Sequence, residues 1–199
     1  MGRTVAYTRL DVDERRRRLL ELGARLFTEH AYDELSMAKI AKHAGISKAL
    51  LYHYFPSKEA YFVATLEEKA AELQQRTTPD PSLPPAEQLS ASLDAYLQWI
   101  EENASSFDKM IRSAGAVPEV RQLVDRVRAQ TAQRIVDGLS QGKPATPALR
   151  TAVRGWLGFI DGACLDWVKH RDLDRQTLHG LLLATLLGAV LAAGEASPT

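Results

Sequence analysis

The sequence predicts an all-α protein: an N-terminal three-helix module containing a helix-turn-helix, then a C-terminal helical bundle, about nine helices in total. Three observations carry that reading. Almost every segment repeats its apolar residues with a 3.6-residue period, and no run of four or more residues alternates as a strand would. Serines, glycines and prolines stand where helices need caps and stops. One stretch, RTTPDPSLPPA from Arg76 to Ala86, holds four of the nine prolines and forms a stiff connector that no helix crosses.

The first helix is expected over 13–29, where Asp13 and Glu14 suit the N-terminal dipole and Leu19, Leu20, Gly23, Leu26 and Phe27 form a buried stripe. Ser36 then caps a short second helix. Its Met37, Ile40, Ala41 and Ala44 fall at i, i+3, i+4 and i+7, and Gly45 ends it. Ser47 caps a third short helix that Phe55 and Pro56 close, and Ser57 caps a fourth running to residue 75. Beyond the connector, helices are expected over 86–102, 106–113, 118–139, 147–170 and 174–193, with SQGKPAT (140–146) breaking the chain before the last pair. The expected domains are 1–56 and 57–199.

At 199 residues the chain is long enough for a small module and a larger one with its own core. The net charge is zero, but residues 1–60 hold 11 lysines and arginines against 8 acids, a surplus of three that the remainder reverses. A basic first third joined to an acidic remainder fits a chain whose N-terminal module alone meets a polyanion. The single cysteine, Cys164, has no internal disulfide partner, which fits a reducing cytoplasm. The N-terminal MGRTVAYTRLDVDE lacks the apolar core of a signal peptide, and LLLATLLGAVLAAG (181–194) falls short of the roughly 18–20 residues that span a bilayer, so no membrane partner is expected.

Paired carboxylates, a nucleophile elbow, H-E-x-x-H, Cys/His metal spacing and glycine-rich phosphate loops are missing from the sequence. His170 and His179 stand nine apart, wrong for one helical metal face. Neither an enzyme nor a cofactor or metal site is expected.

The stretch GISKALLYHYFPSK (45–58) is the richest in information. Two short capped helices joined through Ala44, Gly45 and Ile46, with small Ala41 near the turn, match a helix-turn-helix, whose second helix enters the DNA major groove. On a helical wheel Ile46, Leu51 and Tyr54 point to the core, while Lys48, Ala49, Tyr52 and His53 share the opposite face. Lys48 is placed to reach guanine acceptors or a phosphate, and Tyr52 and His53 to donate to phosphate oxygens. Ser36 and Ser47 expose helix N-terminal amides, and Lys58 opens another helix beyond Pro56. An ordinary helical hairpin with a solvated polar face gives the same spacing.

The longer segment LFTEHAYDELSMAKIAKHAGISKALLYHYFPSKEAYF, Leu26 to Phe62, resembles the DNA-binding domain of the TetR family of bacterial transcriptional regulators. The resemblance lies in the LF before an aromatic, SM..IA..AGIS, LLYHYF and the SK that opens the fourth helix, and it covers about the first third of the chain. It implies that Ser36, Ser47, Tyr52, His53 and Lys58 contact backbone phosphates or lie in the groove, and that Lys48 and Ala49 face the bases. Ala31 stands where the family usually has glycine, a strain of about 1 kcal/mol if that residue sits at positive φ. Leu35 and Leu50 replace common threonines, and Ala38 an occasional arginine, so readout is expected to lean on Lys48, on thymine-methyl contacts by Ala49 and Leu50 and on DNA shape. The block Arg15 to Arg18 opposes the dipole of the first helix and is either a phosphate contact or a solvated face, and Arg3 and Arg9 are candidates for a minor-groove arm.

A single recognition helix reads about one half-site, so a homodimer is expected. Gly180, Ala184, Gly188 and Ala192 recur at i+4 on the last helix, and Gly155, Gly158 and Gly162 line a low ridge on the preceding one. Such ridges let helices approach closely, between two chains or within one. The resemblance implies pairing through these two helices. It also implies a small-molecule effector in the C-terminal bundle, for which the candidate lining is Tyr96, Trp99, Phe107, Met110, Ile111, Val124, Trp156, Phe159, Ile160 and Trp167, with core packing the competing role for each. Asp94, Asp161 and Asp166 lie inside otherwise apolar helices and either orient a ligand's polar end or serve the helix surface. The expected function is a homodimeric repressor on palindromic operator DNA, released by an apolar or amphipathic effector; the alternative is a DNA-binding regulator controlled by abundance or a protein partner.

Overall fold

Local chemistry decides where the helices begin and end. The structure, a computed structural model, describes residues 9–113, 117–140 and 142–195. Among the described residues the chain forms nine α-helices and no strand: α1 Arg9–Glu29, α2 Met37–Ala44, α3 Lys48–Tyr54, α4 Lys58–Arg76, α5 Pro85–Glu102, α6 Ala104–Ser113, α7 Pro118–Ser140, α8 Pro147–His170 and α9 Arg175–Glu195. Ser36 Oγ accepts the Lys39 N–H at 3.3 Å, Ser47 Oγ the Leu50 N–H at 3.1 Å and Thr146 Oγ1 the Leu149 N–H at 3.1 Å, so each satisfies a donor that the first turn leaves free. Gly45 reverses the chain in the left-handed region at φ 65°. Its N–H bonds the Lys42 carbonyl and the Ile46 N–H bonds the Ala41 carbonyl, which closes a Schellman motif.

Two local features differ from expectation. α1 begins four residues earlier than Asp13, and a 3-10 turn, Tyr32–Glu34, separates α1 from α2. Ala31 before that turn is extended, φ −68° and ψ 150°, and its N–H donates to Glu34 Oε2 at 2.9 Å. No glycine is needed there and the expected strain does not arise; the left-handed non-glycine among the described residues is Arg171, where α8 ends.

The described chain divides into two compact units, Met1–Lys69 and Ala70–Thr199, with the division inside α4. In the first unit Ile40, Leu51 and Tyr61 are fully buried among Leu19, Leu26, Phe27 and Phe62. Gly23 explains how closely α1 and α4 approach: a Cβ there would stand 2.5 Å from Thr65 Oγ1 and 2.8 Å from the Tyr61 hydroxyl. That hydroxyl donates to the Leu19 carbonyl at 2.5 Å, giving the buried phenol its acceptor. Phe27 packs on Phe62 at 4.5 Å and Phe55 on Tyr61 at 4.8 Å between ring centroids.

In the second unit α5, α8 and α9 supply most of the core. Leu97, Ile100, Val153, Cys164, Leu178, Leu182 and Leu186 have their side chains fully or almost fully covered. Trp156 Nε1 donates to the Leu182 carbonyl at 2.9 Å, and His179 Nε2 to the Ser90 carbonyl at 3.0 Å, tying α9 to α8 and α5. Arg175 reaches Asp94 at 3.3 Å and Glu101 at 3.2 Å. By length and composition α9 would suffice to cross a bilayer. Its inward row Leu178, Leu182 and Leu186 closes this core instead.

Candidate functional site

The Gly45 reversal and the Ser47 cap orient α3 so that Leu51 is fully buried while Lys48, Ala49, Tyr52 and His53 are exposed. Ile46 and Tyr54, expected in the core, are half-buried at its edge. Tyr52 is 42 % exposed, and the Lys48 ammonium stands 5.7 Å from its ring centroid. The outward face of α3 therefore offers a cation, an aromatic hydroxyl, an imidazole and a methyl group in one row.

Beside that row lies an open groove of about 330 Å³, bounded by Ser36 and Met37 at the start of α2, Tyr52 of α3, and Pro56, Ser57 and Lys58 at the start of α4. The fold thus brings Ser36, Tyr52 and Lys58 together from three elements, at two helix N-termini whose dipoles favour an anion. Ser47 stands apart from them, capping α3.

Long-range contacts add what spacing did not reveal. Lys58 Nζ donates to the Tyr32 carbonyl at 3.1 Å and lies 3.9 Å from the Tyr32 ring centroid, so the lysine is half-buried with one of its three donors engaged. Glu59 also borders the groove. Its own backbone N–H, then the Tyr32 hydroxyl at 2.9 Å, hold its carboxyl below the usual range, so it carries full negative charge close to Lys58. The engagement of Lys58 and Glu59 with Tyr32 crosses 26 and 27 residues, a separation no periodicity signals.

The arginine block serves several ends. Arg17 pairs with Glu14 at 2.5 Å and Glu21 at 3.2 Å, Arg18 pairs with Glu14 at 2.8 Å, and Arg16 lies 5.6 Å from the Phe55 ring centroid. Arg3 lies outside the described residues. Arg9 opens α1, and its side chain is not among those described.

In the second unit Trp99, Phe107, Trp156, Ile160 and Trp167 are buried in one core, with Tyr96, Met110 and Ile111 packed against it. Val124 is buried on α7. Phe159 does not join them: it is 43 % exposed on the outer side of α8. Asp94 pairs with Arg175 and Asp166 with His170 at the surface, whereas Asp161 is mostly covered and pairs with Arg128 of α7. Burial raises the Asp161 carboxyl despite that cation, and it drives the Tyr96 phenol well above its ordinary value, with Cys164 and Asp161 adding to the shift. The Cys164 thiol, pushed up to about 12 chiefly by burial, is an inert core group.

Gly155, Gly158 and Gly162 of α8 and Gly180, Ala184, Gly188 and Ala192 of α9 are all exposed. A Cβ built on any of the five glycines would meet nothing within 4 Å. Leu181, Leu187 and Leu191 are exposed on α9, Leu191 to 69 %.

Residues 19–65 match the model of bacterial regulatory proteins of the tetR family, and residues 85–189 match the tetracyclin repressor-like C-terminal domain. The chain is 30 % identical to the uncharacterised HTH-type transcriptional regulator YhgD of Bacillus subtilis over 85 % of its own length and 93 % of the relative's. A tetR-family transcriptional regulator from Streptomyces coelicolor superposes with a TM-score of 0.81 at 28 % identity, covering 93 % of this chain and 84 % of the other. The transcriptional regulator FadR from Bacillus subtilis, in complex with stearoyl-CoA, shares the fold at a TM-score of 0.70 and 20 % identity, covering 86 % and 97 %. With the helix-turn-helix in place and both domain models matched in order along one chain, the protein is a member of the TetR family of helix-turn-helix, DNA-binding transcriptional regulators.

Proposed function

We propose that this regulator is a homodimeric repressor of palindromic operator DNA that a small apolar or amphipathic molecule releases. The observation that carries the DNA part is the exposed row Lys48, Ala49, Tyr52 and His53 beside a groove where Ser36, Tyr52 and Lys58 converge. Lys48 and Ala49 face base edges; Tyr52, His53 and Lys58, with the capped starts of α2 and α3, hold the phosphates on either side. Glu59 repels the same backbone and sharpens where it can pass.

The exposed small residues of α8 and α9, flanked by Phe159, Leu181, Leu187 and Leu191, support the dimer. A Cβ on any of the five glycines would meet nothing within 4 Å among the described residues, and an apolar face of this kind on two adjacent helices is self-complementary under a two-fold axis. Two modules then read half-sites about one helical turn, roughly 34 Å, apart.

For the effector, support comes from the aromatic core of the second unit and from the stearoyl-CoA bound by the FadR of Bacillus subtilis. A ligand that favours a non-binding spacing of the two modules by about 1–3 kcal/mol suffices for release. α4, inside which the two units divide, is the covalent route for that change. The closed packing of Leu97, Ile100, Val153 and Cys164 favours the second reading, a regulator controlled by abundance or a protein partner. A thermal-shift screen of acyl-CoAs, fatty acids and aromatic drugs against the purified protein separates the two: stabilisation by amphipathic compounds supports the effector, and stabilisation by none of them supports the second reading.

A further inference from the structure

Trp99 is 2 % exposed, and its indole N–H finds no acceptor among the described residues. The other two tryptophans set the standard it departs from: Trp156 Nε1 donates at 2.9 Å and Trp167 Nε1 at 2.7 Å, each to a backbone carbonyl. A buried donor without an acceptor is costly, so at Trp99 the interior lacks an oxygen.

A second orphan lies in the same unit. Arg128 pairs with Asp161 through a terminal nitrogen, while its Nε–H is covered from solvent and has no acceptor among the described residues. Tyr96, one turn before Trp99 on α5, feels the charges of both Asp161 and Arg128, which places the ion pair against α5 as well as between α7 and α8. The Asp161 side chain is 17 % exposed and that of Arg128 42 %, and a part-exposed ion pair contributes little net stability, so stability alone does not explain this one. Trp99 Nε1 and Arg128 Nε are thus two covered donors in one unit with no acceptor among the described residues.

We infer that the second unit takes an amphipathic monocarboxylate, with Arg128 holding the carboxylate, Trp99 donating to an oxygen of the same molecule, and the hydrocarbon packing among the core aromatics. This rests on the effector reading above and assigns its head group. The unpartnered Arg128 Nε–H is free to take the ligand's carboxylate, and Asp161, which already holds a terminal nitrogen of the same guanidinium, acts as the competitor that sets affinity. An ammonium head meets the guanidinium and is rejected, and a neutral alcohol forgoes the charge-assisted bond.

The test is calorimetric titration of the full-length protein with dodecanoate, dodecanol and dodecylamine below their micelle concentrations. Dodecanoate is expected to bind about tenfold tighter than the alcohol, as loss of one charge-assisted hydrogen bond implies. Arg128→Gln is expected to remove that preference, Asp161→Asn to tighten the acid selectively, and Trp99→Phe, which keeps an aromatic ring, to weaken acid and alcohol alike by severalfold. Equal binding of acid and alcohol, or a preference that survives in Arg128→Gln, overturns the head-group assignment and leaves the effector reading standing. Binding of none of the three overturns both.

Discussion

α3 and α9 are built on the same plan and turn different chemistry outward. Each buries leucines on one side, Leu51 in α3 and Leu178, Leu182 and Leu186 in α9. They differ in what they turn outward: Lys48, Tyr52 and His53 on α3, and Leu187, Gly188 and Leu191 on α9. The inward residues make the fold, and under the proposed function the outward residues choose the partner, a polyanion for α3 and a second copy of the chain for α9.

The contrast breaks most sharply at α9. Leu187→Glu with Leu191→Glu places four carboxylates across a two-fold interface and should cost at least about 4 kcal/mol of association, roughly a thousandfold. Light scattering should then report a monomer that is still helical by circular dichroism. Inward substitutions should act alike in both helices: Leu51→Ala and Leu182→Ala should each cost about 3 kcal/mol of stability in chemical unfolding, without exchanging one partner for another.

Glycines give the next test, because they look equivalent in sequence and differ in space. Gly23→Ala forces a Cβ to within 2.5 Å of Thr65 Oγ1 and should destabilise the first unit by about 2 kcal/mol. Gly188→Ala meets open space within its own chain, so the fold should hold or gain by up to about 1 kcal/mol of helix propensity while dimerisation weakens. Melting curves and light scattering on the two variants separate these outcomes.

At α3 the effects are smaller and concern only DNA. Lys48→Ala should weaken binding roughly tenfold at fixed salt, relax discrimination at the base pair it faces and reduce the salt slope by about one, since the interface loses a cation. Tyr52→Phe should cost about 1 kcal/mol and leave the slope unchanged, because the hydroxyl is neutral. Fluorescence anisotropy across a salt series distinguishes the two. Ser47→Ala, which removes the cap of α3, should cost about 1 kcal/mol of stability.

Most of the helical fold was legible in the sequence because its signals are local. Ser36, Gly45, Ser47 and Pro147 act within four residues of themselves, and the helices they bound lie where the pattern put them. The 3-10 turn after Ala31 was missed because an alanine in extended backbone leaves no signature of its own. The outward face of α3 was readable from a wheel, yet Tyr32, which engages Lys58 and Glu59, was not, because it sits on another element. Phe159 shows the limit of composition: an aromatic among tryptophans reads as core, and the phase of α8 turns it outward. The Trp99 N–H and the Arg128–Asp161 pair became visible only with three helices in place.

Genome-wide footprinting tests the central claim, that a dimer reads DNA through the outward face of α3. The account predicts two-fold symmetric sites with half-sites about one helical turn apart, lost from the footprint in the double variant Lys48→Ala, Tyr52→Ala. Asymmetric sites, or symmetric ones that the double variant still protects at the same salt, would contradict it.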